Sequence, residues 1–404
     1  MLHRALYAAF DRVPSAKGAA IHIAHAVRAL ERAAGNTLLA CVADGRLPEG
    51  EHEGGIEVMR LGAGAPDLVE RVRAYRRGLA AVLEARRGSL RVCHFRDPWS
   101  GIPILEAHGQ RGRFATVYEV NGLPSIEMPY RFPAIAARTL ERIRAMEQRC
   151  LAEADHILTP SATLARNLER ICAGMGVAPA RITVIPNGAD RLKAGGRPHD
   201  APRRYFLYFG ALQPWQGVGA AIAALPRIAD LGIALVICSS QPPAIGRALM
   251  ARARRLGVAG RVHWRHELSR EELAPWIAHA VASLAPLTET PRNLEQGCCP
   301  LKILESMAAG TPVIASDLAP VRELVAHGEH GLLVRAGRPE LLGRAMRALA
   351  DDPAARDAMG RRARERMRRD YTWAGIEQRL ERWYRREVLG TRRPSWRMSP
   401  APTN

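Results

Sequence analysis

Pro300-Leu301-Lys302-Ile303-Leu304-Glu305-Ser306-Met307-Ala308-Ala309-Gly310-Thr311-Pro312-Val313-Ile314-Ala315-Ser316-Asp317 reads as a loop that enters a helix, stops at a Gly-Thr-Pro turn and starts a fresh buried strand. A helix start offers unpaired N–H groups and a partial positive charge, so this one is suited to meet an anion. Gly297, Cys298 and Cys299 in the preceding loop let the backbone come close to a phosphate. Glu305 lies on the first turns, where a carboxylate can accept two hydrogen bonds from vicinal ribose hydroxyls. Taken alone, Glu305 would equally read as a partner for the helix dipole.

Working outward, the same helix–strand alternation runs through the second half of the chain. Tyr205–Phe209, Ala234–Cys238, Val262–Trp264, Ala282–Ala285 and Val313–Ala315 read as strands, with helical patterns at 217–230, 242–256, 269–278 and 301–309. The first half shows the same rhythm. Strands are expected at Leu2–Ala9, Asn36–Val42, Ile56–Leu61, Leu90–Phe95, Ala115–Val120, His156–Thr159 and Ile182–Ile185. Helices are expected at 18–34, 66–87, 101–111, 131–153 and 161–173. This α/β alternation implies parallel sheets with helices on both faces. A Gly/Pro-rich stretch at 194–203 interrupts it and reads as a linker. The organisation expected is two Rossmann-like domains, 1–200 and 201–372, facing each other across a cleft. Ligands of such sheets sit beyond the carboxyl ends of the strands. Trp373–Val388 reads as an amphipathic closing helix, and the Pro/Arg/Ser-rich 390–404 as a frayed tail.

Composition sets the outer limits. At 404 residues, 47% hydrophobic and 25% charged, the chain is long enough for two globular cores. No apolar run reaches the roughly 18–20 residues a membrane span needs, and residues 1–11 lack the apolar core of a signal peptide. A cytoplasmic protein is therefore expected. Seven cysteines without a C-x-x-C pair suggest reduced thiols rather than a disulfide framework or a zinc site. His263 and His266 flank Trp264 but lack a third ligand nearby, so no metal site is expected there. The net charge is +19. Much of it falls in helical segments such as 66–91, where seven arginines oppose three acids. Such a face fits a solvated surface or an anionic membrane. Nucleic acid is a poor match, since aromatic residues amount to 5% and no basic–aromatic motif occurs.

The 300–317 stretch resembles the donor-site motif of retaining glycosyltransferases of family 4, which have the GT-B fold. Further pieces resemble that family in the expected order. Pro14-Ser15-Ala16-Lys17-Gly18-Ala19-Ala20-Ile21-His22 is similar to the Gly-rich loop that reaches the donor diphosphate. Ile182-Thr183-Val184-Ile185-Pro186-Asn187-Gly188-Ala189-Asp190 is similar to the segment closing the first domain. Leu207-Tyr208-Phe209-Gly210, Val321-Arg322-Glu323 and the helix after Tyr371-Thr372-Trp373 also fit. The resemblance implies transfer of a sugar from a nucleotide-diphosphate sugar, with retention of configuration, to a glycan, lipid-linked or small-molecule acceptor. It implies no cofactor and no catalytic metal. Donor-binding positions would be Lys17, Gly18, Gly210, Gln216, His266, Glu295, Gly297, Cys298, Cys299, Leu301 and Glu305.

The departures from the family pattern are specific. The first of its two glutamates falls on Gly297, so its contact with sugar hydroxyls would pass to Glu295 or to backbone N–H groups of 296–299. The Arg and Lys that face the diphosphate after the first strand of domain two fall on Ala211 and Gln216. Charge builds on the leaving phosphate during transfer, and one missing donor commonly costs ~3 kcal/mol of transition-state stabilisation. Only three of the 59 basic residues are lysine. Two of them, Lys17 and Lys302, lie in the two anion-site motifs, which makes them candidates to replace the missing cations.

The first domain would carry the acceptor, with Arg96, Asp97 and Asn121 at its cleft edge. Asn121 occupies the place where many relatives have a histidine, and an amide cannot act as a general base. Glu119 and Asp97 remain as candidates for polar work, alongside structural roles at strand ends. Two rival readings stay open. A GT-B nucleotide-sugar epimerase would share the donor site, and a catalytically silent paralogue would act as a partner subunit. A redox dinucleotide enzyme would need a G-x-G-x-x-G turn after the first strand, which this chain lacks. The basic helices tilt the acceptor towards a lipid-linked one at the inner face of the cytoplasmic membrane.

Overall fold

A computed structural model describes residues 2–15, 18–62, 67–111, 114–178, 181–192 and 194–390. The expected tail therefore lies, from residue 391 onward, outside the described residues. The first sheet contains β1 (Ala5–Ala8), β2 (Thr37–Val42), β3 (Gly50–Glu53), β4 (Ile56–Leu61), β5 (Val92–Phe95), β6 (Ala115–Glu119), β7 (His156–Thr159) and β8 (Ile182–Val184). Their spatial order is β3-β4-β2-β1-β5-β6-β7-β8. All pairings are parallel except β3 with β4. The second sheet contains β9 (Tyr205–Gly210), β10 (Ala234–Ser239), β11 (Val262–His266), β12 (Ser283–Ala285), β13 (Val313–Ser316) and β14 (Gly331–Val334), all parallel, in the order β11-β10-β9-β12-β13-β14. In both sheets the order reverses next to the first strand, which is where a doubly wound sheet opens a crevice at its carboxyl edge.

Burial explains why these segments became strands. β2 and β10 are inaccessible along their whole length, and so are nearly all residues of β9. Helices cover both faces of such strands, which removes any polar alternation. Buried side chains accordingly form one cluster on each face of the first sheet, built around Leu6, Phe95 and Tyr118 on one side and Tyr7, Ile23 and Val117 on the other.

Helix boundaries follow prolines and caps. The pattern at 131–153 is helical only over Ala137–Glu153; a separate helix, Pro124–Arg131, precedes it, and between the two Pro133 disfavours helical backbone in the residue before it. The pattern at 217–230 becomes an α-helix, Val218–Ala224, followed by a 3₁₀ segment, Leu225–Leu231, at Pro226. The helices Pro339–Asp351 and Pro353–Asp370 each start with proline in the first turn.

The closing helix, Trp373–Trp383 with a π-helical extension Tyr384–Val388, returns to the first domain. Trp373, Ile376, Leu380 and Tyr384 are buried in the cluster that holds β1 and the helix Gly18–Ala34. Each such side chain contributes roughly 1.5–3 kcal/mol by leaving water. The return path is tight at Gly188, where an added Cβ would lie 2.9 Å from the Trp373 backbone nitrogen. The chain thus crosses between the domains twice, after β8 and again before Trp373. The two sheets face each other across the cleft between these crossings.

Candidate active site

The first-domain wall of the cleft is organised around one carboxylate. Glu119 ends β6 and is 1% exposed. Its Oε2 accepts the Tyr7 hydroxyl at 2.6 Å and His94 Nε2 at 2.8 Å. Its Oε1 accepts Asn121 Nδ2 at 2.5 Å and lies against His22 Nε2. Arg96 Nε approaches Oε2 at 3.8 Å. Burial opposes ionisation of Glu119, yet His22, His94 and Arg96 together hold it well below the usual carboxylate range. Burial also lowers His94, so its imidazole is neutral. Nε2–H then donates to Glu119, and Nδ1 accepts the Tyr384 hydroxyl at 2.8 Å. Every oxygen of Glu119 is occupied by the protein. The arrangement makes it an internal anchor for Asn121 and leaves it no open lone pair for an acceptor hydroxyl.

Asp97 is likewise turned inward. Its carboxylate accepts the Phe10 amide at 2.7 Å and the Ser100 amide and hydroxyl at 2.8 and 3.0 Å, capping the helix Pro98–Arg111. Burial raises it to about 6 despite these donors. Arg96 is held by Asp11 at 3.1 Å. Asn121 and Arg96 are only partly buried, whereas Glu119 and Asp97 are buried.

In the second domain, the donor-loop residues converge. β9 ends at Gly210, whose φ of +115° suits glycine. A Cβ there would sit 3.5 Å from Lys302 Nζ. Lys302 donates to Gln216 Oε1 at 2.7 Å and lies 4.1 Å from the centre of the Tyr208 ring. The Pro214–Gln216 turn that presents Gln216 is closed by Gly217, where φ is +66° and a Cβ would overlap Pro286 O. Burial pushes Lys302 down to about 7 and Glu305 up to about 7, each partly offset by the other's charge. Leu301 at the helix start packs against Gly18, where a Cβ would come within 2.6 Å of Leu301 Cδ1. The two expected anion loops therefore meet face to face. Lys17 lies outside the described residues.

Gly297 explains why the family's first glutamate has no counterpart here. Its φ of +70° and ψ of −176° belong to a region open almost only to glycine. A Cβ would also press within 3.1 Å of Thr163 from the first domain. Glu295 is exposed and does not group with Lys302. With Ser125, Arg144 and Glu147 it borders a cavity of about 220 Å³ on the first domain. Cys298 and Cys299 are buried, and the Cys299 carbonyl accepts Asn187 Nδ2 at 2.8 Å. Asn187 Oδ1 in turn faces His22 Nδ1 at 2.7 Å, which ties the hinge to the Glu119 network. His266 contacts the Gln241 carbonyl at 3.0 Å and stacks on Trp264. No group of three metal-ligating side chains occurs among the described residues.

Residues not anticipated from sequence bridge the cleft. Gln296, fully buried, accepts the Leu123 amide at 2.9 Å and donates to Glu127 Oε1 at 2.8 Å. Arg292 Nε reaches the same oxygen at 3.3 Å. Its guanidinium lies 5.4 Å from the centre of the Trp215 ring, whose edge meets Tyr130 of the first domain. Nothing in the sequence around Arg292 marks it, because Glu127 lies 165 positions away and Trp215 is equally foreign to its neighbourhood.

Residues 203–352 match the family described as glycosyl transferases group 1, and residues 17–188 match the glycosyl transferase 4-like domain. Both halves of the chain are thus glycosyltransferase-family domains. This glycosyltransferase-family chain is 29% identical over 260 residues to a glycogen synthase of Mycobacterium tuberculosis (strain ATCC 25618 / H37Rv), covering 64% of its own length and 60% of the relative. It is 27% identical over 290 residues to a D-inositol 3-phosphate glycosyltransferase of Corynebacterium glutamicum (strain R), covering 67% and 66%. It therefore spans about 60% of the glycogen synthase it resembles. Among solved structures, sucrose-phosphate synthase from Thermosynechococcus elongatus superposes with a TM-score of 0.78 at 21% identity, covering 95% of this chain and 99% of that one. The Anabaena protein HepE in complex with UDP-glucose gives 0.70 at 17% identity, covering 94% and 99%. These likenesses establish the GT-B fold for this member of the family.

Proposed function

We propose that this chain transfers a sugar from a nucleoside-diphosphate sugar to a hydroxyl acceptor with retention of configuration. The observation that carries the reading is the convergence of Lys302, Gln216, Gly210 and the start of the helix Leu301–Ala309 at one point of the cleft, with Glu305 one turn further on. That arrangement suits a diphosphate at the helix start and a ribose at Glu305. In the proposed reaction the anomeric carbon–oxygen bond to the β-phosphate breaks. The acceptor oxygen bonds to the same face of the sugar, and its proton passes to the departing phosphate. No protein base is required for that route, which agrees with Asn121 in the usual histidine position and with Glu119 and Asp97 being internally bonded. The charge left on the diphosphate would be met by Lys302 rather than by a metal ion, and the sugar hydroxyls by backbone N–H groups near Gly297.

Two relatives bear on the donor. HepE was captured with UDP-glucose, and starch synthase IV of Arabidopsis thaliana with ADP and acarbose. The test is calorimetric titration with UDP, GDP and ADP on the wild type and on Glu305→Ala. Selective binding of one diphosphate, abolished in the variant, supports the donor site. Binding of none would favour a silent paralogue, the reading suggested by Ala211 and Gly297.

A further inference from the structure

The family's two phosphate-facing cations are absent at Ala211 and Gln216, and Lys302 accounts for one positive charge in their place. A second cation stands beside it. Arg292 begins the π-helical segment Arg292–Gln296, and the neighbouring Asn293 fixes that segment from within. Asn293 is fully buried, and its Nδ2 donates to the carbonyls of Trp215 and Thr288, both at 2.8 Å. Arg292 is thus anchored to the same turn that presents Gln216, the residue holding Lys302. Its side chain, 16% exposed, stacks on Trp215 and donates to Glu127 Oε1 through Nε and to Asn293 Oδ1 through Nη1 at 3.2 Å. Arg292 lies near enough to Lys302 to add to the lowering that burial imposes on the amine. Glu127 offsets part of the Arg292 charge, and an anion placed beside Lys302 would favour its charged form. The guanidinium carries five donors, more than these neighbours engage.

We propose that Arg292 is the second diphosphate cation of this chain, steered into the donor site across the cleft by Glu127 of the first domain. The inference rests on the donor-site reading above. Arg292 meets a phosphate of the nucleoside diphosphate. Glu127 is a positioning residue that makes the charge depend on the first domain being in place. Gln296, bonded to both Glu127 and the Leu123 amide, links the same clamp to the Asn121 loop. The leaving-group cations then arrive together with the acceptor wall, so charge is neutralised only when both halves of the site are assembled.

The experiment titrates the full chain with UDP, GDP and ADP and with the three matching nucleosides, in wild type, Arg292→Gln, Arg292→Lys and Glu127→Gln. Arg292→Gln removes a charge-assisted hydrogen bond to phosphate. It should weaken the preferred diphosphate about 10–100-fold, while nucleoside binding stays within about twofold. Arg292→Lys recovers part of that affinity, since it keeps the charge without the fork, and Glu127→Gln falls between. An Arg292→Gln protein with the wild-type ratio of diphosphate to nucleoside affinity overturns the inference and leaves the donor site standing. A wild type that binds none of the three diphosphates overturns both. Should Arg292→Gln lack the wild-type melting transition, Glu127→Gln decides. A reduced ratio supports the clamp, and an unchanged one sinks it.

Discussion

The Tyr384 hydroxyl meets His94 Nδ1 at 2.8 Å inside the first domain, across 290 positions of sequence. Through His94 Nε2 the chain of hydrogen bonds continues to Glu119 and from there to Tyr7, Asn121 and His22. The end of the described chain is therefore hydrogen-bonded into the wall of the cleft. Tyr384→Phe removes one buried hydroxyl and leaves His94 Nδ1 without a donor. The expected cost is about 1–3 kcal/mol, seen as a lower first-domain melting temperature in calorimetry. An unshifted transition would mean that the closing helix holds the first domain by apolar packing alone.

Glu119 should behave as a structural anion with a pH signature. Its folded pKa is depressed below the ordinary 4.5 because His22, His94 and Arg96 outweigh the effect of burial. A depressed carboxylate contributes stability that is fully present above its unfolded pKa and is lost as pH falls through the folded value. Wild-type stability from this group should hold from neutral pH down to about 4.5 and be lost progressively below it. Glu119→Ala should cost about 3–5 kcal/mol near pH 7, the penalty typical of breaking a buried charge network, and should flatten the acid limb. Urea melts between about pH 3 and 8 would show it. A variant of wild-type stability but no turnover would instead assign Glu119 to the chemistry.

How far the sequence reveals this molecule depends on whether a residue's partners are local. Strands β2, β9 and β10 are legible because continuous burial makes them continuous apolar runs. β3, with sequence Gly-Glu-His-Glu, carries no apolar signal and exists through antiparallel pairing with β4. The helix Pro124–Arg131 has no fully buried residue, so periodicity could not mark it. Its importance lies in Glu127 and Tyr130, which look across the cleft. In the donor loop, the spacing that places Glu305 and Lys302 is local and therefore legible. Arg292 and Gln296 acquire meaning only from Glu127 and Leu123, which the fold brings over from the other domain. Glu119 and Asp97, polar residues at strand ends, look catalytic in sequence. Their inward bonds become visible only once Tyr7, His22 and Phe10 are in place.

Glu323 should act as a latch between the domains. Its carboxylate accepts the amides of Ala162 and Thr163 at 2.9 and 2.8 Å and the Thr163 hydroxyl at 2.7 Å, at the start of the first-domain helix Ala162–Gly174. A negative charge on a helix N-terminus adds to these bonds. Glu323→Gln should weaken the junction by about 1.5–3 kcal/mol and speed hydrogen exchange at Ala162 and Thr163. Unchanged exchange at those two amides would exclude a latch.

Binding to an anionic membrane, proposed from the basic helices, can be addressed on Leu68–Arg86. Tyr75, Leu79, Val82 and Leu83 face the core. Arg73 pairs with Glu70 at 2.6 Å and Arg87 with Glu84 at 2.8 Å, while Arg76 and Arg77 sit outside these pairs. Replacing Arg73, Arg76 and Arg77 by Gln should lower partitioning onto phosphatidylserine vesicles, by about fivefold per residue at low salt. Equal partitioning of variant and wild type would remove this helix as a docking face.

Lys302 should take up a proton when a diphosphate binds. Burial lowers its pKa from 10.5 to about 7. Because the folded pKa lies below the unfolded one, the unfolded chain binds a proton between pH 10.5 and about 7 that the folded chain refuses. The cost to the fold therefore grows as pH falls through that window and is constant below it. An anion beside the amine reverses the preference. At about pH 8 the free protein holds Lys302 mostly neutral, and the bound form holds it charged. Titrations in Tris and in HEPES, which differ in ionisation enthalpy, should then report uptake close to one proton. Affinity should fall about tenfold per unit of pH above about 7. Glu305, raised to about 7, is already mostly ionised one unit higher and adds little. Lys302→Met should abolish the uptake and weaken the diphosphate while leaving the nucleoside bound. Proton uptake that persists in Lys302→Met would show that another group meets the phosphate charge, and turnover unchanged in that variant would end the role proposed for Lys302.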